Sequence, residues 1–167
     1  MRRVHWMSLL AVAVAIGLWG APGWAAPGPI RVALVVHAQG PMAEDSAVVQ
    51  AILGNVSRGL ESIERVQLIS QERVRTAQRA LGFELSADRS ARQVHAFAAA
   101  VGADTVVLIQ ISLEEGRFIV LHGFVFKADG GVLLESRSAL FRPDMEEQVQ
   151  GAVKEFLEKI VPVLLKL

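Results

Sequence analysis

The chain of 167 residues contains no cysteine. That absence removes disulfides, thiolate zinc sites, cysteine nucleophiles and the lipid anchor carried by a cysteine just after a leader. Nor is there an excess of charge: seventeen Lys and Arg meet seventeen Asp and Glu, a balance that argues against a broad footprint for nucleic acid or anionic lipid. Local catalytic signatures are missing too. Ser46, Ser57, Ser62, Ser70 and Ser90 include no G-x-S-x-G elbow. The Gln39-Gly40-Pro41 loop has one glycine and a proline where a phosphate cradle needs several free amides and a following Lys-Ser/Thr pair. No internal repeat or low-complexity linker divides the chain.

What the chain does have begins at its amino terminus. Arg2 and Arg3 precede an apolar run from Met7 to Leu18, followed by Pro22 and by Gly23 and Ala25 flanking Trp24. Basic, apolar and small-residue zones in that order predict a secretory signal peptide over residues 1–25, cut after Ala25. The apolar run is shorter than the ~20 residues that span a bilayer. Residues 26–167 then make one domain, long enough to bury a core without staples. Loss of Arg2 and Arg3 leaves fifteen basic against seventeen acidic residues, a net charge near −2. The expected location is the periplasm, with no lipid anchor.

The periodicities predict alternating elements. Ile30 to Val36 is a near-continuous apolar run, a strand buried on both faces in mid-sheet. Val49, Ile52, Leu53, Val56, Leu60 and Ile63 recur at helical steps, with Gly54 and Gly59 lowering intrinsic helicity. Val66 to Ile69 is a short strand, and Ser70 caps a helix from Gln71 to near Gly82. Asp88 is expected to cap the next helix, whose apolar face is Val94, Phe97, Ala98 and Val101, and Gly102 to stop it at positive φ. A strand over 105–112 turns at Glu114-Glu115-Gly116 into a strand from Arg117 to Lys127. Phe118, Val120, His122, Phe124 and Phe126 share one face of it, and Ile119, Leu121 and Val125 the other. Asp129-Gly130-Gly131 turns into the strand Val132 to Phe141, with Gly130 expected to tolerate a side chain better than Gly102. A final helix opens with Asp144 as cap and Glu147 as its capping-box partner. Val149, Val153, Phe156, Leu157, Ile160 and Leu164 line its stripe, and a kink or an end is expected at Pro162. The fold class is α+β: a mixed five-stranded sheet, β-α-β-α-α-β-β-β-α, with helices packed on it.

That order, with particular residues, resembles the family of the TolB amino-terminal domain, the periplasmic domain of curli secretion channels and the outer-membrane activators of penicillin-binding proteins. The residues concerned are the opening strand RVALVV, the S-Q-E-R-V helix start after Gln67-Leu68-Ile69, the A-x-x-x-G-A-D boundary from Ala98 to Asp104, and DGGVLL at 129–134. The resemblance covers nearly all of residues 26–167, as a bare domain. It implies an α+β domain without catalytic machinery that binds other envelope components.

His37 ends a core strand beside a loop carrying Met42, Glu44 and Asp45. Histidine with two carboxylates suits a metal or a general base, but no further ligand lies near in sequence, so His37 reads as a loop-ordering or partner-binding residue. His122 reads as a boundary histidine and His95 as exposed. Glu114 and Glu115 read as solvated turn carboxylates, and Arg73, Arg75, Arg79, Arg89 and Arg92 as solvated helix faces. Val163, Leu164, Leu165 and Leu167 form an apolar tail that either docks a partner or packs on the sheet. The expected function is that of a non-enzymatic periplasmic accessory domain of an envelope assembly or transport system. Its partners are expected to be outer-membrane or peptidoglycan-associated proteins or a further copy of the chain, with no cofactor. The alternative is a small-ligand carrier or weak hydrolase using the loop after the first strand.

Overall fold

The computed structural model describes residues 28–39, 47–86, 88–114, 118–141 and 146–167. The order is β1 (Ile30–Ala38), α1 (Ala47–Glu61), β2 (Val66–Leu68), α2 (Gln71–Leu81), α3 (Ala91–Val101), β3 (Thr105–Glu114), β4 (Phe118–Lys127), β5 (Val132–Phe141) and α4 (Glu146–Leu164). The five strands form one sheet in the order β2-β1-β3-β4-β5. β1 pairs parallel with both β2 and β3, while β3, β4 and β5 pair antiparallel. This is the mixed sheet expected from the pattern, and β1 is interior, which is why its apolar run has no polar alternation.

Alternate residues of each strand feed two separate cores. Val32, Leu34, Val107, Ile109, Ile111, Leu121 and Val125 meet the stripes of α1 and α4, among them Ile52, Val56, Val153, Phe156 and Ile160. Ala33, Val35, Val106, Leu108, Phe124 and Phe126 meet Val74, Val94, Phe97, Ala98 and Val101 of α2 and α3. Of the two glycines in α1, Gly54 faces open space and Gly59 lies where α4 crosses closely: a Cβ at Gly59 would lie 2.2 Å from Leu157 Cδ1. At Gly123 a Cβ would lie 2.3 Å from the Phe156 ring, so β4 is bare where α4 presses on it.

Several boundaries differ from expectation. The cap of α3 is Ser90, not Asp88. Its hydroxyl accepts from the Gln93 amide while the Gln93 side chain accepts from the Ser90 amide, a full capping box that outcompetes a lone carboxylate two residues earlier. Asp88 instead accepts from the Ser86 hydroxyl, which holds its carboxyl below the usual range. Gly102 has φ +70 and ends α3 as expected. Gly130, expected in an open turn, has φ +90 and sits against α3, where a Cβ would come within 2.3 Å of the Ala91 carbonyl oxygen. α4 does not end at Pro162 but runs to Leu164, because the lost amide is a single bond and the buried stripe continues beyond it. The expected leader, the loop residues 40–46 and the Pro143-Asp144 cap lie outside the described residues.

Candidate functional site

The chain leaves β1 for α1 on one face of the sheet and leaves β2 for α2 on the other. Outgoing connections on opposite faces open a crevice at the carboxyl ends of the strands. Here it measures about 470 Å³. Val35 and Val36 floor it, α1 supplies Gln50 and Leu53, and α2 supplies Gln71, Arg75, Gln78 and Arg79. Gln71 is pinned, its side-chain amide donating to the Leu34 carbonyl at 3.0 Å. The guanidinium groups of Arg75 and Arg79, one helical turn apart, have no partner among the described residues.

His37 is linked to this crevice through Glu84. Its Nδ1 lies 3.3 Å from Glu84 Oε2, and Glu84 itself lines the crevice wall. The partner of His37 is thus a residue 47 positions along the chain, which no local spacing signals. Met42, Glu44 and Asp45 lie outside the described residues. Among the described residues, no group of three or more His, Asp and Glu side chains could hold a metal ion.

The carboxy-terminal residues divide. Leu164 is fully buried in the α1/α4 core, so the docking role considered for it gives way to a packing role. Leu165 and Leu167 are each 45% exposed, and Val163 is half-buried. The Arg65 guanidinium donates to the Leu165 carbonyl at 3.4 Å, tying the tail to the start of β2.

A third surface had no single-residue signal in the sequence. α2 and α3 cover β1, β3 and the Phe124 and Phe126 end of β4, and beyond their edge half-exposed polar side chains of β3, β4 and β5 meet. Arg137 Nη2 reaches both carboxylate oxygens of Glu114, at 2.7 and 2.8 Å. His122 Nε2 lies 2.8 Å from Glu135 Oε1, and its ring leans on Phe124 with centroids 4.3 Å apart. Glu114 is the last residue of β3 and not a free turn carboxylate. At the other end of the sheet, Asp104 clamps β1 to β3: it accepts from the Arg31 amide at 2.9 Å and from the Arg31 guanidinium at 2.8 and 3.1 Å. That guanidinium holds the Asp104 carboxyl below its usual range. His95, exposed as expected, contacts the Ala128 carbonyl at 2.8 Å.

The hypothetical protein CT253 from Chlamydia trachomatis matches over 83% of this chain and 99% of its own, with TM-score 0.58 and 14% identity. Lipoprotein GNA1162 from Neisseria meningitidis matches over 80% and 97%, with TM-score 0.55 and 13% identity. The chain has their fold. The LpoB C-terminal domain from Escherichia coli matches over 78% and 94%, with TM-score 0.49 and 16% identity. No family model and no curated protein matches the sequence. The likeness is one of backbone path and carries no residue of those proteins onto a position here.

Proposed function

We propose that the protein is an exported, non-enzymatic interaction domain serving a cell-envelope assembly or transport system from the periplasm. Residues 1–25 act as a cleaved signal peptide and residues 26–167 as the working domain. The observation that carries the reading is the β5 edge. Among the described residues this ten-residue strand pairs with β4 alone, and it carries Val132, 60% exposed, and the charged pair Glu135 and Arg137. A long open strand edge beside a polar and aromatic face is a surface built to receive another chain. Location is supported by the leader pattern and by the shared fold of a meningococcal lipoprotein. The missing cysteine favours release without a lipid anchor.

The test is site-directed photo-cross-linking in intact cells. A probe replacing Val132 should give discrete adducts with an envelope protein or a further copy of the chain, and a probe replacing the exposed Lys154 on α4 should give none. Equal adduct patterns from both positions would contradict the assignment of β5 as the docking edge.

One observation favours a second reading. The crevice between β1, α1 and α2 is polar, has ligand-sized volume and holds two guanidinium groups without a partner among the described residues. It suits a small anionic ligand. Joint replacement of Arg75 and Arg79 by Ala should abolish any anion-induced rise in melting temperature, and an unchanged rise would remove this reading.

A further inference from the structure

We propose that two copies of the chain join edge to edge through β5, antiparallel, with Ser136 on the two-fold axis. The inference rests on the reading of β5 as a docking edge and names its occupant. In an antiparallel pair with two-fold symmetry, positions equidistant from the centre stand opposite each other. A centre at Ser136 sets Glu135 of each copy against Arg137 of the second copy. An axis perpendicular to the sheet keeps each face on its own side, so these side chains meet on the face that α2 and α3 leave open.

Charge selects this register. Moving the centre one residue either way would set Glu135 against Glu135 of the second copy, or Arg137 against Arg137 of the second copy. Like charges directly across a strand pair are destabilising and opposite charges stabilise. Charged side chains, lysine above all, proline and bulges ordinarily defend an edge against pairing. Acid, serine, base in succession is instead complementary to itself when reversed.

Two further features agree. The register shift between β4 and β5 is confined to Val125/Phe126, so β5 is regular from Leu134 onward, through the proposed centre. On the opposite face the axis passes beside Lys159, which donates to Ser136 Oγ at 3.4 Å and holds Glu155 at 2.7 Å. The cation nearest the axis thus brings its own counter-ion. Each dimer would also extend the in-chain pairs into one row, Glu114 to Arg137 to Glu135 of the second copy to His122 of the second copy.

Sedimentation velocity on the purified full chain tests the proposal by charge reversal. The wild type should be dimeric at concentrations on the order of 100 μM. Glu135→Arg or Arg137→Glu alone should weaken the dimer about tenfold or more. The two together should restore it to within about threefold of wild type, although both in-chain pairs are then broken. Circular dichroism establishes that each variant is folded, and where a reversal is not, Glu135→Gln and Arg137→Gln serve, with a loss of about threefold each. A monomeric wild type, single variants that dimerise as the wild type does, or a double variant that stays monomeric would overturn the proposal. If the wild type is monomeric while the Val132 probe still captures an envelope protein, the dimer falls and the docking edge stands.

Discussion

At the scale of single residues, position matters more than residue type, and the glycines make the case. Gly102 and Gly130 both hold positive φ, but the first faces only the ends of Arg73 and Arg31 while the second faces the Ala91 backbone. Gly102→Ala should therefore cost about 1 kcal/mol from backbone strain. Gly130→Ala should cost about 3 kcal/mol, because backbone must also move. Urea midpoints in that order are expected, and the reverse order would contradict the α3 contact. Asp104 gives a second test. Its carboxyl lies below the usual range, chiefly through hydrogen bonding from the Arg31 guanidinium. A carboxyl lowered on folding stabilises the native state fully above its unfolded value, and that contribution is lost as pH falls through the folded value. The urea midpoint of Asp104→Asn should thus lie furthest below wild type at neutral pH, and the gap should close as pH falls below the ordinary carboxylate range. A gap independent of pH would remove the clamp from the account.

At the scale of elements, the burial of α4 past Pro162 yields a prediction about the tail. Leu164 is a core residue and Leu165 and Leu167 are not. Leu164→Ala should cost about 2–4 kcal/mol, while Leu165→Ala and Leu167→Ala together should stay within about 1 kcal/mol; chemical denaturation separates the two cases. Element types were legible from the sequence because each is written in a local pattern: the steps of three and four from Val49 to Leu60, and the near-continuous β-branched and aromatic run from Phe118 to Phe126. The boundaries that misled were contests between neighbours. Asp88 and Ser90 are both good caps, and only the answering side chain of Gln93 decides between them. A proline in the last turns of a helix breaks one bond, but whether the helix continues depends on what its stripe still buries.

At the scale of the whole molecule, the site was the least legible part, because it is made by topology. His37 pairs with Glu84 and Glu114 with Arg137, contacts that exist only once the strands take the order β2-β1-β3-β4-β5. The exposed face of β5 follows from two helices covering one side of a five-stranded sheet only as far as β4. Its self-complementary charges become visible only when β5 is known to be an edge. The proposed leader, by contrast, is read from residues 1–25 alone, and the proposed function depends on it: a domain proposed to serve the envelope has to reach the envelope. The most direct measurement is amino-terminal sequencing of the protein recovered from fractionated cells. The account predicts a chain beginning at Ala26 in the periplasmic fluid released by osmotic shock. An unprocessed chain in the cytosol, or one held in the membrane pellet until detergent is added, would contradict it.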